Sequence, residues 1–157
     1  MNKIPGKLKA EDIPQLIELV DGKCVLCLGC YCGRGLITLA RHARKVWVLD
    51  DFKYPGGIEG VVAELKSNID RHVPDDKEVN LLHGTPASWG VPPGSEDLCL
   101  EEVEVVYRDA NRSGTEEEQD MAFALVVLKG RGGVFAWHNT DHDLKWLQIN
   151  PVPVETN

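Results

Sequence analysis

The segment from Lys23 to Phe52 constrains this chain more than any other, because it orders a buried strand, a glycine turn, a helix and a second strand. The first apolar run ends at Gly29, and Gly33 and Gly35 come after it with the spacing G-x-x-x-G-x-G. Glycines at such a turn let the backbone approach a ligand and let the next helix pack against the strand. Glycine spacing alone is a weak signal, so the interpretation depends on the residue that ends the second strand.

Asp50 ends that second strand, VWVLD, and stands 21 positions after Gly29. A carboxylate about 20 residues after the first glycine is where an adenosine ribose finds an acceptor for its hydroxyl hydrogens. The spacing therefore predicts a site for a nucleotide cofactor. The alternative is that Asp50 is a solvated strand end.

Composition excludes several classes of function. The chain has 157 residues and a net charge of -8, with 43% apolar and 27% charged residues. This length predicts one domain over residues 1–157. The negative charge argues against a nucleic-acid partner, which would need clustered Lys and Arg. No apolar run approaches the roughly 18 residues of a membrane span and the first residues are no signal peptide, so we expect no membrane partner and a cytoplasmic location.

Four cysteines crowd into nine positions: Cys24, Cys27, Cys30 and Cys32. The C-x2-C-x2-C-x-C string suggests a metal or iron–sulfur site. Because side chains alternate along a strand, Cys24 and Cys27 should point to opposite faces of the sheet. We therefore favour buried, small apolar residues in a reducing compartment.

Strands and helices alternate along the chain. Apolar periodicity predicts helices over residues 10–20, 34–43, 58–72 and 115–129, and strands over residues 23–28, 46–49, 79–82, 103–107 and 133–137. This alternation predicts an α/β fold of the Rossmann-like, doubly wound type, with a mostly parallel sheet and helices on both faces. The core spans about residues 21–139. A short amphipathic segment at 143–147 and an irregular tail from about 149 to 157 come after it.

In such sheets ligands bind beyond the carboxyl ends of the strands. Each predicted strand ends in polar or small residues, which should meet at one rim: Gly29 to Gly35, Asp50 and Asp51, Gly84 and Thr85, Asp109, and His138 with Asn139.

Three segments together resemble the class I S-adenosylmethionine-dependent methyltransferases, especially the small-molecule O-methyltransferase-like group. LGCYCGRGLITLA is similar to the family's glycine-rich first motif, and VWVLDDF is similar to the acidic end of its second strand. Residues 103–139 are similar to its fourth strand, the next helix and its fifth strand, including the turn LKGRGG. The resemblance covers about residues 21–139 and implies an S-adenosylmethionine cofactor and a small-molecule acceptor.

The resemblance also implies a role for each candidate cofactor residue. Gly29, Tyr31 and Gly33 would shape the wall beside the methionine part of the cofactor. Asp50 would bind the ribose hydroxyls.

The adenine would lie beside the next residues of the second strand's end and beside the end of the third. Asp51 and Phe52 would flank it, and Gly84 and Thr85 would approach its edge.

On the acceptor side, the resemblance places Asp109 and Asn139 where some members hold a divalent cation such as Mg²⁺. It places His138 as a general base, a task that suits an imidazole with a pKa near 6.5. The residues leave other interpretations open. Asp109 could cap the turn after its strand, His138 could be a rim histidine held by neighbouring backbone, and Thr140 or Asp141 could cap a short helix.

The chain departs from the family pattern at several positions. Cys27 stands where many members have an acidic residue, Gly35-Leu36 replaces a Ser-Thr pair, and Arg112 replaces a histidine. The usual final antiparallel strand pair is missing or reduced to residues 149–155. These departures motivate a second hypothesis, a non-catalytic cofactor-binding or interaction domain, in which an uncovered sheet edge could form a homo-oligomer.

A third hypothesis is an NAD(P)-dependent short-chain reductase, because its turn has a similar glycine spacing. That chemistry needs a Tyr-x-x-x-Lys pair. Tyr31, Tyr54 and Tyr107 are followed four residues later by Gly, Ile and Asn, so none supplies it.

Overall fold

The computed structural model describes residues 8–29, 34–53, 56–84, 102–109, 114–138 and 142–152. Its strands are β1 Cys24–Leu28, β2 Lys45–Asp50, β3 Glu78–His83, β4 Val105–Arg108, β5 Gly133–His138 and β6 Leu144–Ile149. A 3-10 turn at Ala10–Asp12 precedes the helices α1 Ile13–Val20, α2 Arg34–His42, α3 Ile58–His72 and α4 Gly114–Leu128.

The six strands form one sheet in the order β3-β2-β1-β4-β5-β6. Strands β1 to β5 run parallel, and β6 pairs antiparallel with β5. The strand order reverses between β1 and β4, which is where doubly wound sheets open a crevice for ligands. The predicted Rossmann-like fold class is confirmed.

Two apolar layers cover the sheet. Helices α1, α2 and α3 pack on one face, where Val25 and Cys27 point. Helix α4 packs on the other face, where Cys24 and Leu26 point. Because both faces are covered, β1 is apolar at every position instead of alternating. The expectation that Cys24 and Cys27 occupy opposite faces is confirmed, and both thiols are free and buried.

The described end of the chain differs from the sequence prediction. The segment that we interpreted as a short amphipathic stretch, and as a short helix after its cap, is strand β6. The antiparallel strand therefore lies at Leu144–Ile149 and shares only Ile149 with the predicted range 149–155, of which residues 153–155 lie outside the described residues. Six residues with mixed polarity fit a helical and a strand pattern almost equally, and pairing with β5 decides between them. In the described residues the final strand pair is reduced to this one strand.

Among the described residues, none of the helices is both long enough and apolar enough to cross a lipid bilayer. Strands β3 and β6 are the outer strands of the described sheet. The homo-oligomer through a sheet edge and the cytoplasmic location stay predictions.

Candidate functional site

The carboxyl ends of the parallel strands bring the candidate residues to one rim. Register pairs Leu28 with Leu49 across β1 and β2, so Gly29 lies opposite Asp50. Register also pairs Leu28 with Arg108 across β1 and β4, so Asp109 lies on the other side of Gly29. We divide this rim into a β1–β3 half, formed by Gly29, Asp50 to Phe52, His83 and Gly84, and a β4–β5 half, formed by Tyr107, Asp109 and His138.

Backbone hydrogen bonds fix the β1–β3 half. The Gly29 N–H donates to the Leu49 carbonyl at 3.0 Å, and the Gly84 N–H donates to the Asp50 carbonyl at 2.8 Å. Gly29 has a φ of 82°, a left-handed conformation in which a side chain would be strained. Tyr31, Gly33 and Thr85, which we predicted to join this half, lie outside the described residues.

The Asp50 carboxylate is held by its own turn. Its Oδ1 accepts a hydrogen bond from the Phe52 N–H at 3.0 Å, and the residue is 1% exposed. Phe52 is buried with a φ of 55°, and its ring centroid lies 6.2 Å from that of His83. The Asp51 carboxylate makes the equivalent contact one residue later, with the Lys53 N–H at 3.1 Å.

These features fit an adenosine-containing cofactor. A carboxylate of fixed orientation stands at the end of β2, beside a glycine whose conformation would strain any side chain. Such a pair offers an acceptor for ribose hydroxyls and a backbone that a ligand can approach closely. His83, at the end of β3, was missed by the sequence analysis, because nothing in the pattern distinguishes it from any polar strand end.

Cys27 lies buried behind Gly29 and, among the described residues, carries the only thiol near the rim. Its thiol donates to the Gly29 carbonyl at 3.0 Å. Burial raises the pKa of the Cys27 thiol well above its ordinary value of 9.0, and the nearby carboxylates of Asp109 and Asp50 raise it further. The thiol is therefore a neutral hydrogen-bond donor at neutral pH, where an acidic residue would add a third negative charge.

Side chains form the β4–β5 half. The Asp109 N–H donates to the Leu28 carbonyl at 3.0 Å, which places the Asp109 carboxylate at the rim. The His138 Nε2 lies 3.8 Å from Asp109 Oδ1, and the two side chains are 8% and 5% exposed. The structure thus brings together the two residues predicted as catalytic. Asn139 lies outside the described residues.

Both ring nitrogens of His138 contact protein groups. Nε2 hydrogen-bonds to the hydroxyl of Tyr107, and Nδ1 lies 3.3 Å from the carbonyl of His142. Burial lowers the pKa of His138, so the ring is neutral at neutral pH. The contact with His142 is the arrangement in which neighbouring backbone holds the histidine, which the sequence left open beside general-base catalysis.

Solved structures resemble this architecture. Over 87% of the chain, at 21% identity and a TM-score of 0.56, it is similar to precorrin-8w decarboxylase from Methanobacterium thermoautotrophicum, and it spans 66% of that protein. It is similar at 17% identity and a TM-score of 0.59 to phosphoethanolamine N-methyltransferase 1 from Haemonchus contortus, solved with phosphoethanolamine and S-adenosylhomocysteine. That match covers 85% of this chain and 26% of the other.

A third similar structure is the N-methyltransferase NodS from Bradyrhizobium japonicum, solved with S-adenosylhomocysteine. Its identity is 15% and its TM-score 0.53, with 81% of this chain and 59% of NodS covered. The chain has the class I methyltransferase fold. No protein-family model and no curated protein matches its sequence.

Within this methyltransferase fold, Gly35 has a steric role that the sequence did not reveal. A Cβ at Gly35 would lie 2.6 Å from Asp109 Oδ2 and 3.3 Å from Tyr107 Cε1. A side chain at this position would therefore force the Asp109 carboxylate or helix α2 to shift. The replacement of a Ser-Thr pair by Gly35-Leu36 makes room for Asp109.

The opposite face of β4 carries a buried ion pair. The Arg108 Nε donates to Asp120 Oδ2 at 2.9 Å, and the Arg108 side chain is 6% exposed. Glu117 Oε1 lies 3.7 Å from the same guanidinium, at a more exposed position. This pair joins β4 to α4 directly beneath the rim.

The predicted divalent cation receives no support from the described residues. They contain no group of three or more His, Cys, Asp or Glu side chains placed to hold a metal ion. Asp109 alone is one carboxylate, and Mg²⁺ sites use several oxygen ligands.

Proposed function

We propose that this chain binds S-adenosylmethionine and transfers its methyl group to a small-molecule acceptor. The observation that carries the proposal is the meeting of Gly29, Asp50, Asp109 and His138 at one rim of a methyltransferase fold. When bound, the cofactor would supply a methyl group on a positively charged sulfur: a nucleophile bonds to the methyl carbon, the carbon–sulfur bond breaks, and S-adenosylhomocysteine leaves as a neutral thioether.

The β1–β3 half would hold the cofactor. Asp50 would accept hydrogen bonds from the ribose hydroxyls, with its orientation fixed in advance by the Phe52 N–H. Asp51 and Phe52 would flank the adenine, and Gly84 would meet its edge. Since the turn already holds Asp50 in place, little ordering would be needed when the cofactor binds.

The β4–β5 half would meet the acceptor. Asp109 and His138 would orient it and take up its proton, with His138 acting through its neighbours Asp109 and Tyr107, and alignment of acceptor and methyl group would supply most of the rate. We propose a small molecule because the net charge of -8 disfavours a nucleic-acid substrate.

A second candidate is a cofactor-binding domain without catalysis. The observation that favours it is the engagement of both His138 ring nitrogens by Tyr107 and by the His142 backbone. In that case the β1–β3 half would bind the cofactor, and no acceptor would be methylated.

Calorimetry with S-adenosylmethionine and S-adenosylhomocysteine tests cofactor binding. Asp50→Asn should weaken binding about 10- to 100-fold, the effect of losing a charged hydrogen-bond acceptor. Asp76→Asn removes the same charge at an exposed turn and is the matched control. Absence of binding at millimolar cofactor, or equal affinities of both variants, would contradict the proposal.

Release of S-adenosylhomocysteine over a panel of small hydroxyl and amine acceptors then separates the two candidates. Turnover supports methyl transfer, whereas tight cofactor binding without turnover supports the non-catalytic domain. Repeating the assay with a chelator and with added Mg²⁺ tests the predicted cation.

A further inference from the structure

Tyr107 is a fully buried phenol behind the rim. It lies two residues before Asp109 on β4, so both side chains point to the same face of the sheet. The residue is 0% exposed, and its ring meets that of His138 edge to face with centroids 5.5 Å apart. Its hydroxyl contacts His138 Nε2 and lies within hydrogen-bonding reach of the Asp109 carboxylate.

The hydrogens of this cluster can be assigned from its acceptors. The His142 carbonyl can only accept, so His138 Nδ1 must carry the hydrogen that joins them. In the neutral ring this leaves Nε2 as an acceptor. The Tyr107 hydroxyl must then donate to Nε2, with the Asp109 carboxylate as the competing acceptor of the same single hydrogen.

The charge states agree with this assignment. Burial raises the pKa of Tyr107 well above its ordinary value of 10.0, and the neighbouring Asp109 carboxylate raises it further, so the phenol keeps its hydrogen. Among the described residues, the other charged side chains that act on the pKa of His138 are Asp12 of the 3-10 turn, which raises it, and Arg108 on the opposite face of β4, which lowers it.

We propose that Tyr107 is a positioning residue of the acceptor site. Its hydroxyl fixes His138 in the tautomer with hydrogen on Nδ1, and it shares its hydrogen between His138 and Asp109. Because Tyr107 occupies Nε2, His138 acts on the acceptor through Tyr107 and Asp109 and not by direct contact. The tautomer follows from the contacts of the neutral ring and does not depend on the proposed methyl transfer, whereas the effect on catalysis rests on that transfer.

Nitrogen NMR of the histidine rings at neutral pH tests the tautomer without cofactor or acceptor. Wild-type protein should give a His138 signal with a protonated Nδ1 and an unprotonated, hydrogen-bonded Nε2, assigned by its loss in His138→Gln. In Tyr107→Phe, which keeps the ring and removes only the hydroxyl, the Nε2 signal should move toward that of a nitrogen without a donor. An Nε2-protonated ring in the wild type, or an unchanged Nε2 signal in Tyr107→Phe, would overturn the proposal.

Kinetics test the catalytic consequence. Tyr107→Phe should lower kcat about 10- to 100-fold, the effect of misplacing a reacting group, and should leave KM for the cofactor within about 2-fold. A kcat equal to that of the wild type would show that Tyr107 does not position the acceptor site. If the wild type itself binds cofactor but turns over no acceptor, the proposed methyl transfer fails, and the NMR result alone decides the role of Tyr107.

Discussion

The two halves of the rim are held together by different kinds of groups. In the β1–β3 half, backbone groups make the contacts, and Asp50 is held by the N–H two residues later. In the β4–β5 half, a phenol, an imidazole and a carboxylate hold one another, and two of them are 31 positions apart in sequence. The fold of the first half should therefore depend less on its polar side chains, whereas the second half should lose its arrangement when any one member is displaced.

The largest effect should come from the ion pair beneath the β4–β5 half. Asp120→Asn leaves the buried Arg108 guanidinium without its carboxylate, which should lower the free energy of unfolding by about 3–5 kcal/mol. Glu117→Gln removes the more exposed partner of the same arginine and should cost at most about 1 kcal/mol. Urea unfolding of both variants measures the difference, and similar costs would show that burial does not distinguish the two contacts.

A smaller loss should result from Gly35→Ala. Its Cβ would collide with the Asp109 carboxylate and press on the Tyr107 ring, at a cost of about 1–3 kcal/mol. Gly60→Ala, in the first turns of α3 with nothing within 4 Å of its Cβ, should stabilise by up to about 1 kcal/mol. If cofactor binding survives in Gly35→Ala while turnover is lost, the two halves are separable; loss of binding would show that they are not.

At alkaline pH the buried Tyr107 phenol and Cys27 thiol should lower the free energy of unfolding. Both have a raised pKa in the folded state, so above pH about 9 for Cys27 and about 10 for Tyr107 the unfolded chain loses a proton that the folded chain keeps. The contribution of the two groups to the free energy of unfolding is present below those pH values and is lost as the pH rises. Tyr107→Phe should flatten the decline in unfolding free energy above pH about 10, and Cys27→Ala should flatten it from about 9. Urea unfolding of the wild type and both variants across this pH range measures the effect. If the unfolding free energy of a variant declines with pH as steeply as that of the wild type, its residue does not have a raised pKa in the folded state.

The smallest effect should come from the β1–β3 half. Asp50→Asn keeps an Oδ1 that accepts from the Phe52 N–H, so unfolding should change by about 1 kcal/mol or less. A larger loss, measured in the same urea experiment, would mean that the Asp50 charge supports the fold and would remove the contrast between the halves.

Sequence reasoning recovered the parts of this molecule that depend on local pattern. Helix α3 lies at Ile58–His72 as predicted, and Asp50 ends β2. Strand β6 was misassigned because six residues carry too little periodicity. The role of Tyr107 was missed because its contact with His138 requires β4 and β5 to be neighbours in a particular register. Apolar spacing does not specify that register.

Gly35 illustrates the same limit from the other direction. In the sequence it is only a departure from a family pattern. In the structure the Asp109 carboxylate lies where a Cβ of residue 35 would collide with it. A glycine that is required because a neighbouring side chain needs the room can be recognised only when that neighbour is known from the structure.

The first and last described segments also touch. The Lys9 ammonium lies 2.6 Å from Asp143 Oδ1, 134 positions away, and Asp12 accepts a hydrogen bond from the Leu144 N–H. At the usual 5–20 residues per second of translation, roughly 7–27 seconds separate the synthesis of these partners. The hydrogen bond of Asp12 to Leu144 and the contact of His138 with the His142 carbonyl therefore form only after residues 142–144 have been synthesised. By then a nascent chain has already synthesised every residue of the β1–β3 half.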